Sequence, residues 1–278
     1  MGVKSVLSGV VAIGLLAAGG YALNRILDGR TAFPMTSECV ATGAETVRLD
    51  NEQMVHAATI AAVGLRRKLP VHAVTVALAT ALQESKLRNL TNGDRDSVGL
   101  FQQRPSMGWG EPEQLNDPRY AAAAFYDRLQ RVPGWQSLRV TEAAQAVQKS
   151  AHPEAYQKWA GEAEVLAHGL AGQTPAAVAC AVTDPTPASS AAAVHRALTQ
   201  DWGNVSTSEL SGSGLSLPVR NDKTGWRFAH WLVAHAAEHG ISRVRYAGHQ
   251  WTADTGEWRT TKTAGDAVIA DFRGTREG

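Results

Sequence analysis

The sequence predicts a multi-domain fold with an N-terminal transmembrane or signal helix, an all-α domain, a flexible linker and a small α+β C-terminal domain. Three observations predict it: an uncharged apolar run at the start, helical periodicity without convincing strands in the middle, and a polar Ser/Thr/Gly/Pro-rich stretch before strand-like segments at the end. The expected boundaries are 1–30, 40–180, 181–218 and 219–273.

Composition sets the first limits on partners. The chain has 278 residues, of which 44% are hydrophobic, enough for one sizeable core and a smaller second one. Its formal net charge is +1, from 27 basic and 26 acidic residues. Because this balance gives no strong field for a polyanion, nucleic acid is not an expected partner.

The apolar run covers residues 5–23 and contains no charged side chain. As a helix it would be about 28 Å long, close to the thickness of the hydrocarbon layer. The small residues at 17–20 also offer a weak signal-peptidase site. We expect an uncleaved membrane anchor, with a secretion signal as the alternative.

The two cysteines, Cys39 and Cys180, bracket the predicted all-α domain. A disulfide between them would require an oxidising compartment. The alternative is two unrelated buried thiols. We expect the bridge, and with it a location outside the cytoplasm, either anchored to the membrane or secreted to the cell wall.

Helix signals organise the middle of the chain. Asp50 with Gln53 resembles a capping box that opens a helix ending near Pro70. Residues 71–87 are apolar on nearly every side until Gln83, which is typical of a central buried helix. Further helical patterns cover 117–129 and 141–170.

The C-terminal region changes pattern after the polar stretch 181–218, whose composition predicts a linker. Residues 226–239 form an amphipathic helical pattern stopped by Gly240, and strand-like segments follow it. We expect this unit to have a binding or targeting role, with an envelope protein as a candidate partner. His235 and His239 have the spacing of a zinc-binding pair but lack the Glu after the first His, so no metal is expected.

Glu84 lies at the end of the apolar helix 71–87. A carboxyl group in such a place is partly desolvated, and desolvation raises its pKa so that it can hold a proton near neutral pH. A general acid in glycoside cleavage needs this property. The simpler alternative is a surface carboxylate paired with Lys86 or Arg88.

The residues around Glu84 resemble motifs of one superfamily. Gln-Glu-Ser at 83–85 and Gly-Leu-Phe-Gln at 99–102 are similar to the Glu-Ser and Gly-Leu-Met-Gln motifs of the soluble lytic transglycosylases and goose-type lysozymes. Ala-Tyr-Gln at 155–157 resembles the Ala-Tyr-Asn element of these proteins. The resemblance covers roughly 45–172, and Phe101 and Gln157 depart from it.

The resemblance implies an enzyme that cleaves the bond between N-acetylmuramic acid and N-acetylglucosamine in peptidoglycan glycan strands. Glu84 would protonate the glycosidic oxygen, Ser85 would orient Glu84 or the sugar, and Gln102 would bind the glycan or the loop. Gly99 would permit close backbone approach, and Tyr156 would stabilise developing charge. No cofactor is implied. A glycan-binding or scaffold protein of the cell envelope without catalytic activity is the alternative.

Three further residues are candidates for the same site. Asp94 and Asp96 could position an attacking water, although Asn-Gly-Asp is also an ordinary turn sequence. Gln103 stands where a calcium loop starting at Asn92 would need Glu, so calcium is not expected. Trp109 could stack on a sugar ring from an exposed loop. The product, anhydro or hydrolysed, stays open.

Overall fold

An α+β architecture with two antiparallel sheets replaces the predicted all-α domain. The computed structural model describes residues 38–183, 187–210, 214–262 and 265–274. All of them belong to one unit, Ser37–Gly278. The predicted membrane or signal segment, 5–23, lies outside the described residues. Among those residues, we find no helix that is both apolar and long enough to span a bilayer.

The first sheet lies inside the range predicted to be all-α, so that prediction is wrong. Its order is β2-β1-β3, with the strands β1 Glu38–Thr42, β2 Thr46–Asp50 and β3 Val178–Cys180. Strand β2 buries Val47 and Leu49 with the period of two that a half-buried strand requires. Strand β3 lies far along the chain from β1, with which it pairs, and no local sequence pattern predicts that pairing.

The Cys39–Cys180 disulfide is confirmed. The two cysteines are direct partners in the antiparallel pairing of β1 with β3, and both are fully buried. The bond therefore joins two neighbouring strands that are 141 positions apart in sequence.

Helices pack beside this sheet. The capping box at Asp50 and Gln53 is confirmed, because the Asp50 carboxylate accepts from the Gln53 backbone while the Gln53 side chain accepts from the Asp50 N–H. Helix α2 is central and contacts α1, α4, α5 and α6. The helices of this part are α1 Asn51–Arg66, α2 Val71–Ser85, α3 Pro112–Leu115, α4 Pro118–Leu129, α5 Val140–Gln148 and α6 Ala160–Leu170.

A helix, α7 Ala191–Trp202, occupies the range predicted as a flexible linker, and that prediction is wrong for these residues. Ser190 caps its first turn, and Val194 and Leu198 are buried four positions apart. A single apolar stripe of this kind is enough to dock a helix. The Ser- and Ala-rich composition around it conceals the stripe in the sequence.

The second sheet has the order β4-β5-β9-β6-β7-β8. The predicted C-terminal helix is confirmed as α8 Asp222–Ala234 and α9 Ala236–His239, which ends at Gly240 in a left-handed conformation. The strands predicted after it are also confirmed. The strands of this sheet are β4 Ser208–Leu210, β5 Gly214–Pro218, β6 Ile241–Tyr246, β7 His249–Thr252, β8 Glu257–Thr260 and β9 Ala267–Phe272.

Candidate active site

Glu84 lies in the last turn of α2 and is half-buried. The helix ends without a glycine. Lys86 takes the left-handed conformation at φ 56°, and the N–H groups of Lys86 and Leu87 bond back to the carbonyls of Leu82 and Ala81. This bonding pattern closes the helix end. It fixes the backbone that carries the Glu84 side chain.

Two side chains donate hydrogen bonds to the same oxygen of Glu84. The Tyr156 hydroxyl lies 2.8 Å from Oε1, and the Gln148 amide nitrogen lies 3.3 Å from it. Burial raises the pKa of Glu84, and the two donors oppose that rise without cancelling it. The carboxyl group therefore holds its proton more strongly than an exposed glutamate does.

Tyr156 is fully buried and belongs to the third motif. Burial, together with the negative charge of Glu84, raises the pKa of its phenol well above its ordinary value. The phenol thus remains a hydrogen-bond donor throughout the neutral range. The structure places Tyr156 directly against Glu84, across 72 positions of sequence.

Ser85 holds the second motif onto the helix end. Its hydroxyl lies 2.7 Å from the Leu100 carbonyl oxygen, to which it donates, and the side chain is buried. Gln148 makes the parallel contact, donating to the Phe101 carbonyl at 2.8 Å. Ser85 is therefore placed to orient the loop rather than the carboxyl group of Glu84.

Gly99 is required by the protein's own backbone. Its φ is +77°, and a Cβ atom at this position would overlap the Leu115 carbonyl oxygen at the end of α3. The close approach expected at Gly99 is thus made to α3. Only glycine fits a left-handed position with so little space.

Gln102 is turned toward the 92–97 loop. It adopts φ 47°, and its amide donates to the Gly99 carbonyl at 3.1 Å. The side-chain amide oxygen of Gln102 occupies the space where a Cβ atom of Gly93 would lie. These contacts make Gln102 a residue that supports the 92–97 loop.

Trp109 is buried, with only 9% of its surface exposed, so the expectation of an exposed tryptophan is wrong. The Arg128 guanidinium lies 3.5 Å from the centroid of its ring and covers one face. The same guanidinium donates to the carbonyls of Met107 and Gly108 at 3.0 Å. These contacts fold the loop over the indole, which cannot stack on a sugar in this arrangement.

The two candidate second carboxylates are occupied elsewhere or exposed. Asp96 accepts from the Arg104 guanidinium and the Ser106 backbone N–H, both at 2.8 Å, and these bonds hold its pKa well below the usual range. Asp94 is almost entirely exposed, and its nearest cation is Arg95. Among the hydrogen bonds and ion pairs of the described residues, neither aspartate reaches Glu84.

The sequence contains no signal that marks Gln148 as a site residue. It is the last residue of α5, and only the packing of α5 against α2 brings its amide to Glu84. The sequence also gives no sign that Trp159 bonds to the residue next to Glu84. Trp159 follows Tyr156 on a 3₁₀ turn, is partly exposed, and donates to the Gln83 side chain at 2.9 Å.

His235 and His239, which have the spacing of a zinc-binding pair, are engaged in packing. The His235 ring stacks on Trp231 at 3.8 Å between centroids, and its Nδ1 lies 2.9 Å from the Trp231 carbonyl oxygen. His239 lies 3.1 Å from the Ser189 hydroxyl. Both histidines therefore already have partners.

A cavity of about 350 Å³ lies between the β1–β2 turn and α6. It is lined by Gly43, Ala44, Glu45, Gly161, Glu164, Val165, His168 and Thr174.

Comparison with known proteins adds no relative: no protein-family model matches the chain, and no curated protein matches it significantly.

Proposed function

We propose that the chain cleaves the glycosidic bond between N-acetylmuramic acid and N-acetylglucosamine in peptidoglycan, with Glu84 as the proton donor. One observation carries the proposal. Three segments that resemble motifs of lytic transglycosylases come together around Glu84. The Tyr156 hydroxyl bonds to the Glu84 carboxyl group at 2.8 Å, and the 99–102 loop is bonded to Ser85, the next residue, and to Gln148, the second donor to Glu84.

The hydrogen bonds around Glu84 support a defined protonation geometry. Both donors reach Oε1, so the proton of the neutral acid is carried by Oε2. When that proton passes to the glycosidic oxygen, the new carboxylate is stabilised by the same two donors. A group arranged in this way can give a proton in one step and accept one in the next.

The proposed product is a 1,6-anhydromuramic sugar. Glu84 protonates the leaving oxygen of the N-acetylglucosamine side, the muramic 6-hydroxyl attacks the anomeric carbon, and the Glu84 carboxylate takes the hydroxyl proton. This route needs neither Asp94, which is exposed, nor Asp96, which is engaged by Arg104 and Ser106, because the muramic 6-hydroxyl takes the place of the attacking water.

The proposed location is the cell envelope. The buried Cys39–Cys180 disulfide is consistent with an oxidising, extracytoplasmic compartment. The apolar segment 5–23 would supply a membrane anchor or a secretion signal.

Product analysis tests the proposed reaction. Purified peptidoglycan is incubated with the full chain, and the soluble fragments are analysed by mass spectrometry. We expect disaccharide-peptides whose mass is one water lower than that of the hydrolysed product. Hydrolysed fragments would overturn the anhydro route but would leave the proposed cleavage of the glycosidic bond standing.

The same incubation separates catalysis from binding alone. A chain that sediments with intact peptidoglycan and releases no fragment would support the glycan-binding or scaffold alternative. Release of free peptides without sugar would contradict both.

A further inference from the structure

A cationic cluster lies beside the Glu84 helix end. We define the Trp159 cluster as Lys86, Lys158 and Trp159. The Lys86 ammonium nitrogen lies 3.9 Å from the centroid of the Trp159 ring, and the Lys158 nitrogen lies 5.4 Å from it. Both distances are within the range of a cation–π contact. The indole thus gathers two positive charges.

The cluster adjoins the proposed proton donor because two segments run side by side. On one segment, Gln83 and Glu84 are consecutive; on the other, Tyr156 and Trp159 share a 3₁₀ turn closed by a bond of 3.0 Å from the Trp159 N–H to the Tyr156 carbonyl. Tyr156 bonds to Glu84, and Trp159 bonds to Gln83. A ligand bound at Glu84 would therefore lie next to the cluster.

Among the described residues, the two ammonium groups have no direct ion-pair partner. Within the described part of the chain, neither lysine has a carboxylate within 4.0 Å. Burial lowers the pKa of Lys86, the charge of Lys158 lowers it further, and Glu162 acts on it in the opposite direction from a distance. Two like charges held together are destabilising unless an anion joins them. The Lys86 nitrogen is additionally fixed by donating to the Leu82 carbonyl at 3.1 Å.

We propose that the Trp159 cluster binds a carboxylate attached to the muramic sugar of the substrate. This inference rests on the proposed function, since it takes the glycan to be bound at Glu84. The carboxylate has two sources in such a polymer: the lactyl group of a muramic sugar that carries no peptide, and the peptide attached to that group. The cluster therefore discriminates muramic glycans from uncharged polymers of N-acetylglucosamine.

Binding measurements with three tetrasaccharide probes test this site. The first is chitotetraose, which has no carboxylate; the second is a peptide-free muramic tetrasaccharide with lactyl carboxylates; the third is the same glycan carrying tetrapeptides. Calorimetry is performed on the full chain with Glu84→Gln, so that no probe is cleaved. The variants added to it are Lys158→Gln and the double variant Lys86→Gln with Lys158→Gln.

Lys68→Gln is the matched control. Lys68 is an exposed lysine just before α2, one helix length of about 20 Å from Lys86. Because Lys158 is also exposed, its single variant remains informative even where the Lys86 change disturbs the helix end.

We expect the double variant to bind at least one of the two carboxylate-bearing probes about fivefold more weakly, with chitotetraose affinity changed less than about twofold. Added salt should weaken only the carboxylate probes. The probe that responds identifies the source of the carboxylate. An equal loss for all three probes, or no loss for any, overturns the site but leaves the glycan reaction standing. Failure of the starting chain to bind any probe overturns the proposed function together with the site.

Discussion

At the scale of single residues, opposing influences set the pKa of Glu84. Burial raises it, whereas the hydrogen bonds from Tyr156 and Gln148 lower it. Burial favours the neutral acid that a proton donor needs, and the two hydrogen bonds favour the carboxylate that is left after the proton transfer. The prevailing rise keeps a larger fraction of the group protonated near neutral pH than in an exposed glutamate.

Tyr156→Phe tests this balance. It removes a donor that stabilises the ionised form, so the pKa of Glu84 should rise further. Activity requires the protonated acid, so it is lost as pH increases through this pKa. The alkaline limb of a pH profile of kcat/KM should therefore move to higher pH in the variant.

Tyr126→Phe is the control for that profile. Tyr126 is equally buried, and its hydroxyl donates to the Ile60 carbonyl at 2.9 Å, away from Glu84. Its removal should leave the limb in place. A limb that moves downward in Tyr156→Phe, or moves equally in both variants, would contradict the assigned balance.

At the scale of elements, the site is a helix end closed by a loop. The loop is attached at Ser85 through the Leu100 carbonyl and at Gln148 through the Phe101 carbonyl. Gly99 lets the same loop pass against α3. Loop and helix therefore position the carboxyl group together, and a disturbed loop should affect both stability and activity.

Gly99→Ala should lower the free energy of unfolding by about 2 to 4 kcal/mol, from an unfavourable φ and a clash with the Leu115 carbonyl. Gly108→Ala is the matched control, since Gly108 has φ +67° but no atom lies within 4 Å of the place that an added methyl group would take. It should lose only about 1 kcal/mol. Denaturant titration measures both. Equal losses would show that the clash contributes nothing.

Local patterns predict some elements and not others. The capping box at Asp50 and the helix ending at Gly240 could be predicted because their signals lie within a few residues. Strand β2 alternates Val47 and Leu49 but is only five residues long, and β3 pairs across 141 positions. Such pairing depends on the whole fold and leaves no local signature.

The candidate site likewise contains residues that the sequence predicts and residues that it does not. Glu84 and Tyr156 could be predicted to belong together because each sits in a recognisable motif. Gln148 could not, since its role comes from the packing of α5 on α2. The loop sequence around Trp109 predicts an exposed indole, and it could not reveal that Arg128 covers the ring.

At the scale of the whole molecule, Asp201 of α7 joins three other helices. Its fully buried carboxylate accepts from Thr59 of α1 at 3.2 Å, from Arg119 of α4 and from the Trp231 indole of α8 at 2.8 Å. A buried carboxylate is tolerated only when it is paired and hydrogen-bonded in this way. Helix α7, which occupies the predicted linker, thus joins α1, α4 and α8 through one side chain.

Buried histidines of the α8 region should make this assembly sensitive to acid. The His230 Nδ1–H donates to the Gly169 carbonyl at 2.8 Å, and Nε2 accepts from the Ala177 N–H at 3.1 Å, so the ring is neutral. Burial lowers the pKa of His230 and of His235 to about 4. The unfolded chain, with ordinary histidines, binds protons first as pH falls.

Stability contributed by these histidines is therefore complete above pH 6.5 and is lost progressively as pH falls to about 4. Each histidine should account for up to about 3 kcal/mol of that loss. Unfolding titrations at pH 8, 6.5, 5 and 4 measure it. His152→Gln, at an exposed position, should not change the profile. Stability that stays constant or increases between pH 6.5 and 4 would contradict the neutral, buried state.

The most direct measurement of the central claim compares the initial rates at which the full chain and its Glu84→Gln variant release muropeptides from purified peptidoglycan. Gln keeps the size of the side chain and an oxygen that accepts from Tyr156, but it has no proton to donate to the glycosidic oxygen as an acid. We predict that the variant remains folded and loses at least about 100-fold in rate. Release at the rate of the unchanged chain would contradict the assignment of Glu84 as the proton donor.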